Sequence, residues 1–178
     1  MRITDLPATR FDLPGAAEPV YIATQQWALE PWEGADPPEL SLTWARKGKF
    51  AVNGRRSCAE LAIMHHLRGD GWDGVWVSAY GPRDLRSEWF PAPAVKIIAE
   101  TGAPLWAVET FDLLRAANGG KLDGFFDVFA WREPGEVRFD EAKVGRRDSI
   151  RPSQRRFVKL ALDLHHRLEQ FTVINVPG

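Results

Sequence analysis

Residues 125–162 read FFDVFAWREPGEVRFDEAKVGRRDSIRPSQRRFVKLAL. Residues 125–131 are rich in aromatic and β-branched side chains, which predicts a strand. Glu133, Pro134 and Gly135 are turn formers, and 137–144 reads as the return strand. Alternate strand residues share a face. Asp127 therefore joins the row of Phe125, Phe129 and Trp131, while Glu141 and Lys143 continue the row of Val137 and Phe139. If both rows face the same side of a hairpin, Asp127, Glu141 and Lys143 form one cluster. Charges on a mostly apolar face need a counter-charge or a metal. One explanation is a plain acid–lysine pair across the hairpin. Another is a pair of carboxylates that holds a divalent cation beside a reactive water.

A helix is expected from about Pro152, a favoured first-turn residue. Phe157, Leu160, Ala161, Leu164 and Leu168 follow with helical periodicity and make an apolar stripe. Gln154 lies three residues before Phe157 and falls on the same face. An inward Gln is commonly a satisfied core or capping amide. Beside a strand bearing Glu-x-Lys it can instead orient the lysine.

This ordered set resembles the PD-(D/E)xK nuclease superfamily, and within it the virus-type replication-repair nuclease (VRR-Nuc) group. Asp127, Glu141-Ala142-Lys143 and Gln154 match the motif residues. Leu113, Leu114, Gly119 and Gly124 in LLRAANGGKLDGFFD match the preceding helix and glycines. Phe126 departs from the pattern, which usually has Pro before the Asp. The likeness covers about residues 55–165. It implies an α/β fold with a restriction-endonuclease-like core, a small mixed β-sheet flanked by helices. It also implies a metal-dependent phosphodiesterase using Mg²⁺ or Mn²⁺. The cation ligands implied are Asp127, Glu141, the Ala142 carbonyl and Glu60. Lys143 would position or deprotonate the attacking water or steady the phosphate, with Gln154 behind it.

Glu60 is assigned from SCAELAIMHHLRGDGW, where Ser57 is a candidate N-cap, Leu61, Met64 and Leu67 form an apolar face, and Gly69 or Gly71 ends the helix. Ser57-x-x-Glu60 is equally a capping box, a purely structural role. Val75, Trp76 and Val77 read as the next strand. His65-His66 and His165-His166 are adjacent pairs that diverge on a helix, so they read as partly exposed helix residues. Cys58 is the lone cysteine, which excludes a cysteine metal cluster and an internal disulfide.

With 178 residues, one domain of ordinary size is expected. No apolar run is long enough to span a bilayer, and the N-terminus lacks the apolar stretch of a signal peptide. A cytoplasmic protein follows from these features and the single cysteine. Net charge is −1, unevenly spread. Residues 1–40 hold two Arg against seven Asp or Glu. Arg46, Lys47, Lys49, Arg55 and Arg56 then form a basic run, and Arg146, Arg147, Arg151, Arg155, Arg156 and Lys159 a second, opposed only by Asp148. Basic runs are usually solvated surface. Flanking Glu60 and Glu141-x-Lys143, they are candidate phosphate contacts.

Residues 1–52 read as an N-terminal arm or an extension of the fold, and 53–178 as the nuclease core. Residues 20–27 form a strand or a short helix, and the acidic N-terminal segment suits an arm, a regulatory segment or a homodimer contact. Residues 94–100 suit a turn or two of helix and 105–108 a short strand. Exposed Trp and Arg between 80 and 110 could stack on bases. The expected activity is cleavage of DNA by an endonuclease in repair, recombination or defence, with RNA left open as substrate. The alternatives are a catalytically inactive nuclease-fold module that binds nucleic acid, and a structural protein whose hairpin charges simply pair.

Overall fold

A computed structural model describes residues 1–35, 48–77, 103–145 and 148–177. The predicted hairpin is present. Strand β6 (Val128–Arg132) pairs antiparallel with β7 (Glu136–Val144), with Val128 opposite Asp140 and Arg132 opposite Glu136. Glu133, Pro134 and Gly135 make the turn between them. Among the described residues the main sheet has six strands in the order β1-β2-β8-β7-β6-β5. The flanking strands are β1 (Arg2–Phe11), β2 (Val20–Ala28), β5 (Asp73–Trp76) and β8 (Phe171–Val176). β8 runs parallel to both β2 and β7, and the other pairs are antiparallel. Residues 20–27 are thus a strand, and residues 2–28 add two strands to the sheet that carries the hairpin. β3 (Phe50–Val52) and β4 (Arg55–Ser57) form a separate two-stranded ribbon. Its two-residue turn, Asn53-Gly54, has φ of 50° and 69°, the left-handed pair that Asn-Gly supplies most cheaply.

Helix α1 (Ala59–Gly69) covers one face of the sheet. Its Leu61, Ile63, Met64 and Leu67 pack with Trp76, Val128, Ala130, Ala142 and Ile174. The other face packs against α2 (Leu105–Ala117) and α3 (Pro152–Asp163). There Phe111, Leu114, Phe157 and Ala161 meet Phe129, Phe139, Phe171 and Val173. Odd and even strand residues fall into separate cores, as the pleat requires. The fold is mixed α/β with helices on both faces.

Several boundaries differ from expectation. Residues 105–108 are the start of α2, not a strand. Pro104 precedes that helix in extended geometry, and Ala107, Phe111 and Leu114 then face the core at helical spacing. α3 stops at Asp163, so Leu168 lies on a short 3₁₀ turn, Leu168–Gln170, and not on the helical stripe. β6 begins at Val128, because Phe125 and Phe126 are consecutive and both enter the α3-side core, which regular pleating forbids. Phe125 lies 4.3 Å from the Phe157 ring, and Phe126 5.5 Å from Phe171. Residues 94–100, and Arg46, Lys47, Arg146 and Arg147, lie outside the described residues.

Asp140, on β7, is fully buried. Arg138 meets it with Nε 2.8 Å and 2.9 Å from its two oxygens. Burial raises the Asp140 carboxyl above its ordinary value, against the pull of Arg138. A carboxyl raised in the folded state gives stability at low pH that is lost as pH rises through the folded value. Asp140→Asn lacks that loss. Relative to wild type, the variant should therefore gain stability as pH rises above the ordinary aspartate range, about pH 4, through the raised value in the folded state. Urea unfolding at several pH values checks this, and a stability difference independent of pH would overturn it.

Gly124 sets where the chain enters the site. Its φ is +85°, and a Cβ there would collide with the Ser153 carbonyl in the first turn of α3. The backbone before Asp127 thus lies directly on the helix that carries Gln154. Gly124→Ala should lower stability by about 3 kcal/mol, from both the strained φ and the overlap. Urea unfolding reads this out, and a loss below about 0.5 kcal/mol would remove the constraint.

Candidate active site

The β6–β7 ladder ends at Val128 and Asp140. Beyond it, side chains take over from main chain. The Ala142 N–H donates to Asp127 Oδ2 at 3.1 Å, and the Asp127 N–H donates to Glu141 Oε2 at 3.3 Å. The Asp127 carbonyl accepts from the Val77 N–H at 2.7 Å, which anchors the same residue to the end of β5. Asp127 and Glu141 are therefore adjacent, and each carboxylate is fixed by backbone. Asp127 is partly exposed, whereas Glu141 is buried.

Lys143 lies two residues along β7 on the same face as Glu141 and is only 4% exposed. Its Nζ donates to Glu141 Oε1 at 2.8 Å and to Asp148 Oδ1 at 3.2 Å. It also lies 3.4 Å from Gln154 Oε1. Burial raises the Glu141 carboxyl above its ordinary value, while the Lys143 ammonium pulls the other way. The plain acid–lysine pair expected from sequence is thus present, along β7 and not across the hairpin.

Gln154 is fully buried at the start of α3. Its Oε1 accepts from the Arg151 N–H at 2.9 Å, as a helix-capping amide does. The same oxygen faces Lys143, so the capping and orienting roles coincide. The Gln154 Nε2 is buried and makes no hydrogen bond of good geometry, yet the Gln154 amide is close enough to Glu141 to pull its carboxyl down beside Lys143.

Glu60 is placed differently. Cys58 is the N-cap of α1 and makes no side-chain cap bond, and Ser57 belongs to β4 with its Oγ donating to the Cys58 carbonyl. The Ser57–Glu60 capping box is absent, because the helix begins one residue later than the box requires. Glu60 is buried in the first turn, where a carboxylate suits the helix dipole. It sits on α1, across the sheet from α3. Among the described residues no group of three His, Cys, Asp or Glu side chains is placed to hold a metal ion. Asp127, Glu141 and the Ala142 carbonyl still give hard oxygen donors. That sparse set fits Mg²⁺, which keeps several waters and takes one or two carboxylates.

The basic runs are less available than their sequence suggests. Arg56 is 3% exposed, so it is not on a surface that a phosphate strand could reach; β4 turns it inward. Arg155 pairs with Asp12 at 3.4 Å, Arg156 with Asp123 at 3.8 Å and Lys159 with Asp163 at 2.7 Å. Lys49, Arg55 and Arg151 are exposed. Of the histidines, His65 is exposed, while His66 lies edge-on to Trp27 and His166 edge-on to Phe139. His165 and His166 lie beyond the end of α3. Asp148 is the site residue that sequence reasoning missed. Its signal was its place as the lone acid within a basic run, five residues after Lys143.

Compared with protein-family models, curated proteins and solved structures, the chain matches none.

The buried pair sets a stability test. Lys143→Ala leaves Glu141 buried beside an empty volume, so it should destabilise the fold by about 3 kcal/mol, more than an ordinary strand substitution. Combining Lys143→Met with Glu141→Gln should recover most of that loss, because no buried charge then lacks its partner. Urea unfolding of Lys143→Met, Glu141→Gln and their double checks the coupling; strictly additive losses would show that the pair contributes nothing.

Proposed function

We propose that this chain is a Mg²⁺- or Mn²⁺-dependent nuclease of the PD-(D/E)xK kind, hydrolysing phosphodiester bonds in DNA from a restriction-endonuclease-like core. One observation carries the reading. Glu141, Lys143 and Gln154 come together from a strand and a helix, beside Asp127, in the order and spacing of that motif. Asp127 and Glu141, with the Ala142 carbonyl, are the groups that would hold the cation. When bound, a divalent cation offsets charge on the phosphate and acidifies a nearby water. Lys143 is held by Glu141 and Gln154, and with a hydrogen released from a third acceptor its ammonium would orient the attacking water or a phosphate oxygen. Gln154 sets the Lys143 position through its Oε1. Among the described residues of the basic runs, the exposed side chains of Lys49, Arg55, Arg151 and Arg156 would bind the DNA backbone. No helix among the described residues is long and apolar enough to cross a membrane, and we place the enzyme's work in the cytoplasm, in repair, recombination or defence.

A second reading is a nuclease-fold module that binds nucleic acid without cutting it. It is favoured by the Lys143–Glu141 ion pair, which satisfies both groups without a cation. Cleavage separates the two readings. Supercoiled, linear, flapped and branched DNAs should be cut in Mg²⁺ or Mn²⁺ and left intact in excess chelator. Asp127→Asn and Glu141→Gln should each lower the rate at least about 100-fold with the fold retained. Glu60→Gln tests the remaining carboxylate, with a raised Mg²⁺ requirement expected if it reaches the cation through water. A wild-type chain that cuts none of these substrates in either cation would overturn the nuclease reading.

A further inference from the structure

A lysine ammonium has three hydrogens to donate. Lys143 Nζ faces three protein acceptors, Glu141 Oε1 at 2.8 Å, Asp148 Oδ1 at 3.2 Å and Gln154 Oε1 at 3.4 Å. No hydrogen is left over for a phosphate oxygen, so one acceptor must yield before Lys143 can touch a substrate. Glu141 and Gln154 are buried on regular elements, at 1% and 0% exposure. The Asp148 side chain is 42% exposed. It is the acceptor that a ligand arriving from solvent meets first.

Asp148 also uses both of its oxygens. While Oδ1 takes the ammonium, Oδ2 accepts from the Val144 N–H at 3.3 Å. One anion thus spans an ammonium and a backbone amide, the donor pair that two oxygens of a phosphate would accept.

We propose that the Asp148 carboxylate occupies, from within the chain, an oxyanion position made by the Lys143 ammonium and the Val144 N–H, and that a substrate phosphate enters by displacing it. The identity of the substrate rests on the nuclease reading; the oxyanion position rests on the hydrogen bonds alone. Rotation of the Asp148 side chain toward solvent is enough to open it. Asp148 is then a competing anion, which lowers affinity for phosphate in the resting protein and keeps Lys143 neutralised until substrate arrives.

The test is binding without cleavage. Fluorescence anisotropy of a labelled DNA duplex, in chelator and at fixed salt, gives Kd for wild type, Asp148→Asn and Glu136→Gln. Glu136→Gln is the control: it removes the same charge and releases another cation, Arg132, at the turn end of the hairpin. Asp148→Asn should tighten binding about tenfold and the control less than about twofold. The gain should vanish when Asp148→Asn is made in the charge-matched Lys143→Met, Glu141→Gln background and compared with that background alone, since it requires the Lys143 ammonium. Equal gains in both single variants, no gain in Asp148→Asn, or weaker binding by it would overturn the proposal, the last by making Asp148 a positioning residue. Cation-dependent cleavage by wild type with no affinity gain in Asp148→Asn would keep the nuclease reading and remove the Asp148 role. An affinity gain with no cleavage by either chain would keep the oxyanion position and remove the nuclease reading.

Discussion

The point where the β6–β7 ladder gives way to side chains governs the rest of the site. Two strands that pair by main chain alone leave no room for a carboxylate between them. Here pairing stops at Val128 and Asp140, and the Asp127 and Glu141 carboxylates accept the N–H groups that follow. Unpaired backbone donors are costly to bury, so the sheet itself holds the two acids in place. Lys143 then compensates Glu141, and Gln154 brings α3 onto the same ammonium. Phe125 and Phe126 break the pleat just before this point and let the chain turn into it.

Much of this was legible in the chain. The turn residues at 133–135, the alternation along 137–144 and the proline at 152 each fix local geometry by rules that need no distant partner. Asp127, Glu141, Lys143 and Gln154 could be grouped because strand and helix periodicity put them on facing sides. What was not legible depended on tertiary contact. Phe126 stands where the resembling family has proline, and its reason appears only in the ring packing with Phe171 and Phe157. The first turn of the helix at 105–117 resembles a strand because Leu105 to Val108 has no period over four residues. The Asn53-Gly54 turn carries a strong hairpin signal but lies within a run dominated by its charge. The exposure of the arginines is hidden for a related reason. Whether Arg56 points inward, or Arg155 finds Asp12, is decided by residues remote in sequence.

Charge around the site is therefore arranged differently from the simple pattern of two basic runs. Surface pairs such as Lys159–Asp163 contribute little to stability. They reduce the field that a polyanion meets at that surface. With Arg155, Arg156 and Lys159 each facing an acid, the described part of the second basic run presents less free charge to a polyanion than its sequence suggests.

The place of β8 has a consequence for how the protein is made. This strand is the seam of the sheet, with Ala23 and Asp140 on either side of Thr172. β1 and β2 leave the ribosome ahead of the other described strands, yet β8, the ladder partner of β2, emerges only after every other described strand of the sheet. A long-range parallel pairing of this kind forms slowly, since the intervening loop must close before the contact is rewarded. Until then β2 is an open edge whose Ile22 and Trp27 have no core to enter. A nascent chain of this topology depends on late closure, and its early hairpin is the segment most exposed to wrong partners during synthesis.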